Sequence, residues 1–123
     1  MKPQEKIEEP VGSNLPAKLT EVQLQADPTA TAELNAIPNA FTTFFTGRFH
    51  GPIVATGFHA GIAANSRVVV SISEFGANPQ QRFVGGARMA VYNVAPFAGG
   101  FRVWFEVFWS SDLNIRLDVF VDP

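Results

Sequence analysis

The sequence predicts an all-β protein: an antiparallel β-sandwich of jelly-roll or immunoglobulin-like type, with seven to eight strands and a flexible N-terminal arm. Three observations lead there. From residue 41 onward the chain is a series of short segments rich in β-branched and aromatic residues, FTTFFTGRF, PIVATGFHA, RVVVSISEF, QRFVGGARMAVYNV, FRVWFEVFW and LNIRLDVFV. Gly, Pro, Asn or Ser punctuates them at Gly51-Pro52, Asn65-Ser66, Gly76 to Pro79 and Pro96 to Gly100, the regular spacing of sandwiches and barrels. Finally, 123 residues with 46% hydrophobic and 16% charged content suit one folded core rather than a disordered chain.

Charge and proline divide the chain into three parts: a flexible tail over 1–18, an arm with strand-like segments over 19–40, and a β-sandwich domain over 41–123. All three lysines, Lys2, Lys6 and Lys18, fall in the tail, and five of the nine prolines precede residue 39, whereas all twelve phenylalanines follow residue 40. The tail has too little apolar surface to offset the entropy of ordering it. In the arm, LTEVQLQA puts Val22, Leu24 and Ala26 on one face and Glu21, Gln23 and Gln25 on the other, a strand pattern. TATAELNAI is ambiguous: Asp27-Pro28 could open a helix, but Ala30, Ala32, Leu34 and Ala36 alternate strictly with polar residues, which favours strand.

Within the β-domain, Gly85-Gly86 interrupts a strand-like segment and predicts a bulge or a switch between sheets. The C-terminal FRVWFEVFWSSDLNIRLDVFVDP reads as two strands joined by a three-residue turn, Ser110-Ser111-Asp112. Phe101, Val103, Phe105, Val107 and Trp109 would then share the core face with Leu113, Ile115, Leu117, Val119 and Val121. Hairpin pairing would place Glu106 opposite Arg116, Trp104 opposite Asp118 and Arg102 opposite Phe120, with an exposed cost of about 1 kcal/mol or less for losing Arg116. Three rings, Trp104, Phe108 and Phe120, would thus gather on an outer surface. At roughly 150 to 250 Å² per ring such a patch reaches the scale of functional surfaces, so it calls for a cover: the arm, a second subunit or a ligand with apolar faces.

Several function classes lose support. A net charge of −2, with no run of like charge, offers no nucleic-acid surface. Without cysteine there is neither a disulfide scaffold nor a thiolate metal site. No stretch predicts a membrane span or an export signal, so the expectation is a soluble chain, cytoplasmic or part of an assembled particle. His50 and His59 occur in the related phrases GRFHGP and TGFHAG, which suggests equivalent positions on adjacent strands, yet a metal site needs further ligands and their spacing fits no compact motif. No serine-hydrolase, metalloprotease or carboxylate-pair motif appears, and Gly99-Gly100 reads as a turn. No catalytic, cofactor or metal residue is therefore assigned.

What remains is a non-enzymatic structural subunit that assembles with itself into a homo-oligomer or filament. Val22 and Leu24 of the arm and Arg102, Trp104, Glu106, Phe108 and Phe120 of the outer face would supply its contacts. The alternative is a carbohydrate- or ligand-binding module with Trp104 or Trp109 as stacking platform and Arg102, Glu106 or Asn114 as polar partners.

Overall fold

The computed structural model describes residues 19–27, 29–34 and 36–123, so the predicted tail lies outside the described residues. In chain order the strands are β1 (Thr20–Gln23), β2 (Gln25–Ala26), β3 (Ala32–Glu33), β4 (Phe41–Phe49), β5 (Gly51–Phe58), β6 (Arg67–Phe75), β7 (Arg82–Phe83), β8 (Arg88–Phe97), β9 (Gly100–Phe108) and β10 (Leu113–Asp122). No helix forms among the described residues, so none is long and apolar enough to cross a membrane. The strands build two packed sheets, one in the order β1-β5-β9-β8 and the other β2-β4-β10-β6-β7, with β3 also on β4. All the long strands pair antiparallel; β1 alone runs parallel to its neighbour.

Alternation along each strand decides what lies between the sheets. Phe101, Val103, Phe105 and Val107 of β9 face Ile115, Leu117, Val119 and Val121 of β10 across the core, and all eight are essentially inaccessible. Rings bridge the layers: Phe45 lies 5.6 Å from Phe101, and Phe49 meets Phe105 edge-on at 5.4 Å. Side chains from the two packed sheets interdigitate here.

The C-terminal pair departs from the hairpin the sequence predicts. β9 lies between β5 and β8, while β10 lies between β4 and β6 in the other sheet. Phe105 therefore pairs with Ile53 and Val91, Leu117 with Phe45 and Ile72, and Glu106, Trp104 and Arg102 do not lie opposite Arg116, Asp118 and Phe120. Residues 109–112 cross between sheets, and Trp109, expected in the core, is 49% exposed. The inward faces are nevertheless the ones read from the alternation. Period-two patterning reports which face meets the core, and it is the same whether two successive strands lie side by side or face one another.

Tight corners make these crossings possible. Only His50 separates β4 from β5, and Gly51 turns the corner at φ 75°, a conformation that costs glycine little. A tight hairpin joins β8 to β9 through Ala98 and Gly99, with Gly99 at φ 95°. Next to it, Gly100 packs against backbone: a Cβ there would sit 2.4 Å from the Gly57 carbonyl oxygen and 2.7 Å from the Phe97 ring. Gly100→Ala is accordingly expected to cost about 1 to 3 kcal/mol in urea unfolding through overpacking. A change within experimental error would mean that the two strands separate there without strain.

The strand-like LTEVQLQA docks on its own chain. β1 pairs with β5 through Thr20, Glu21, Val22 and Gln23, and β2 then pairs with β4 through Gln25 and Ala26. At the bend the Leu24 amide donates to the Thr56 carbonyl (2.7 Å) and the Leu24 side chain is buried in the core. The arm thus closes the neighbouring edges of both sheets. Beyond it Asp27 starts no helix: its carboxylate accepts from the Thr29 amide (2.9 Å) and hydroxyl (2.8 Å), and these bonds hold its pKa below the ordinary carboxylate value. Ala32 and Glu33 pair with Thr42 and Phe41, the strand alternative of the ambiguous segment. At the opposite margin, the chain switches sheets across Gly85-Gly86 as expected: β7 pairs with β6, and β8 belongs to the other sheet. The strand irregularity falls farther on, between Val91 and Asn93.

Candidate functional site

Because β9 and β10 belong to different sheets, the predicted aromatic surface is divided in two. Arg102, Trp104, Glu106 and Phe108 stay together on the outer face of the first sheet, where β9 exposes its even-numbered residues. Phe120 lies on the outer face of the second sheet, between Thr42 and Val69.

On the first face, the bulge in β8 turns Tyr92 over Trp104, with ring centroids 4.7 Å apart. The Tyr92 hydroxyl donates to Glu106 Oε1 (2.8 Å). That bond raises the phenol pKa, with smaller contributions from desolvation and from the Glu106 charge, against a lowering by Arg88. Arg88 lays its guanidinium 4.3 Å above the Phe108 ring, a cation–π contact. Arg102 reaches Glu21 of the arm at 3.4 Å, with both side chains well exposed, so this link adds little stability. Trp104 itself is only partly accessible, and its Nε1 is buried without a hydrogen-bond partner among the described residues. Of the stacked pair, Tyr92 is the ring more open to solvent, 46% exposed. The arrangement offers aromatic contact and hydrogen bonding.

The second face is partly covered by the chain. Arg116, expected to be exposed, is only 8% accessible. Its guanidinium stacks 3.9 Å from the Phe44 ring, donates twice to Asp118 Oδ1 (3.0 and 2.9 Å), and donates to the Pro79 carbonyl (3.0 Å). The turn after β6 is drawn over the sheet by that bond and by Asn114 Nδ2 donating to the Gly76 carbonyl (3.2 Å). Arg82 adds an ion pair with Asp118 at 3.2 Å. This is a structural clasp, and it removes Arg116 from the surface on which the sequence places it.

The two histidines sit at opposite ends of β5, not at equivalent places on adjacent strands. His50 pairs through Nδ1 with Asp112 of the β9–β10 crossing, where Arg48 also bonds Asn114 (2.7 Å). His59 stacks on Phe41 at 4.4 Å, its Nδ1 accepts from the Gly61 amide (3.0 Å), and its Nε2 lies 3.2 Å from the Thr31 hydroxyl. It borders an open cleft of about 440 Å³ that also takes in Glu33, Leu34 and Asn39. Among the described residues no three His, Asp or Glu side chains gather as a metal ion would require.

Of the arm contacts, Leu24 is buried and Val22 packs partly against the core, both within their own chain. Tyr92 and Arg88 were not singled out by sequence, although they complete the face around Trp104 and Phe108. A signal was there: the alternation of RMAVYNV falters at Val91-Tyr92, where an extra residue redirects a side chain. No family model matches the chain, and neither curated proteins nor solved structures provide a match.

Proposed function

We propose that this chain is a non-enzymatic structural subunit that assembles with copies of itself, on a jelly-roll frame lacking one hairpin. The frame reading is supported by the long strands, whose orders β4-β10-β6 and β5-β9-β8 follow the interleaved wrapping of a jelly roll. Two further long strands, one beside β6 and one beside β8, would complete the usual eight. Instead β8 runs directly into β9 through the Ala98-Gly99 turn.

The observation that carries the assembly reading is the attachment of the arm. β1 and β2 close the exposed edges of β5 and β4 by backbone pairing, yet the one described side chain buried along this segment is Leu24, at the bend between them. Such pairing is nearly independent of side-chain identity, so the corresponding edge of a second copy can accept the same strand. The Tyr92–Trp104–Phe108 face next to β1 and β5 adds a surface for neighbouring subunits.

Deleting residues 1–26 is expected to lower the native mass measured by light scattering while keeping a β-type circular dichroism spectrum. An unchanged mass would make the arm an internal edge strand only. The carbohydrate reading draws on Trp109, 49% exposed in the β9–β10 crossing; it is weaker for Trp104, which Tyr92 covers. A monomer that binds a glycan array, and loses binding on Trp109→Ala, would favour it instead.

A further inference from the structure

The two lateral margins of the sandwich are closed unequally. At the β4/β5 margin the arm covers both edges and seats Leu24 in the core. At the β6/β8 margin the only addition among the described residues is the two-residue β7. There Val68, Ile72, Met89, Val91 and Val94 are only partly buried although they pack against the core. A groove of about 210 Å³ opens between the sheets, lined by Ile72, Glu74, Gly85, Ala87 and Met89 together with Phe83 and Val84. Phe83 and Val84 also project from it: Phe83 is about half exposed and Val84 fully so.

From this margin we infer that a second copy of the chain docks here in a twofold-symmetric dimer, each copy seating Val84 in the groove of the other. The occupant follows from self-complementarity. An isologous contact needs a knob and its receptacle on the same surface, and Phe83-Val84 adjoins the groove. Charge agrees: Glu74 lines the groove and Arg88 opens the following strand, and among the described residues neither forms an ion pair. A twofold axis through the margin can bring each against its opposite in the other copy, giving the carboxylate a partner when the contact excludes water.

The contact is made by side chains. Along the free edge of β8, the bulge at Tyr92 and Pro96 interrupt the hydrogen-bonding groups that an added strand would need. Val84 meanwhile makes no contribution to the monomer's core. A fully exposed valine on a short crossover has its whole apolar side chain left to bury against a second copy.

Sedimentation velocity on the full chain over a range of concentrations tests this inference. The wild type is expected to associate, and Val84→Glu to weaken association roughly 30-fold or more, the scale of losing a well-packed interface contact, without moving the thermal melt at concentrations where both chains are monomeric. Glu74→Arg and Arg88→Glu are each expected to weaken association, and their combination to restore it. A wild type that stays monomeric, or a Val84→Glu variant that associates like the wild type, overturns the inference. So does association abolished by deleting residues 1–26 yet untouched by Val84→Glu, which would place the contact at the arm. Loss with Val84→Glu but not with the deletion keeps this interface and removes the arm from assembly.

Discussion

Phe105→Ala is expected to lower the free energy of unfolding by about 3 to 5 kcal/mol, the range for removing a fully buried ring. Phe105 is wholly inaccessible, sits mid-strand between Ile53 and Val91, and meets Phe49 edge-on across the core. Truncation would leave a void bounded by both sheets. Their backbones are held by β5 and β8 on one side and by β4 on the other, so the walls have little freedom to collapse inward. Phe58→Ala is the control: Phe58 is half exposed and touches Phe97 near the end of its strand, and its loss should cost about 1 kcal/mol or less. Urea melts of the two variants, with slopes equal to that of the wild type, give the comparison. Equal costs would mean that Phe105 does not stand between the sheets.

Arg116→Ala is expected to cost about 2 to 3 kcal/mol, well above the ~1 kcal/mol or less for an exposed arginine such as Arg102. The substitution removes the Phe44 stacking, two charge-assisted bonds to Asp118 and the bond that holds the Pro79 carbonyl. Asp118 keeps Arg82 at 3.2 Å and is partly solvated, which keeps the loss below that of a buried charge left alone. Lysine should restore little, since a point charge cannot stack and donate along a planar fork. The same variant should raise amide exchange in the 76–81 turn, where the Pro79 anchor is lost. If Arg116→Ala and Arg102→Ala melt alike, the clasp contributes nothing to the fold.

Much of the body was legible from periodicity. FRVWFEVF and LNIRLDVFV alternate so regularly that the inward residues from Phe101 to Val107 and from Ile115 to Val121 could be named from sequence. Turn chemistry located Gly51 and the turn at Gly99, and Gly85-Gly86 marked a change of sheet. These features depend on residues close in the chain: whether a side chain is apolar, and whether a backbone must take a positive φ. LTEVQLQA likewise announced a strand but not which edges it would close.

Other features were decided by contacts between distant residues. The assignment of β9 and β10 to opposite sheets moved Phe120 away from Trp104, exposed Trp109 and freed Arg116 from its supposed partner Glu106. Burial of Arg116 came from a turn some forty positions earlier, and the cover over Trp104 from a bulge in β8. The sequence by itself determined that this chain is all-β and which faces of its last two strands turn inward, because alternation is a local property of an extended backbone. Only the tertiary structure decided which strands are neighbours, and with that which polar and aromatic side chains share a surface. A strand with one apolar face is satisfied equally by a core beside its predecessor or opposite it, and the choice rests on packing summed over both sheets.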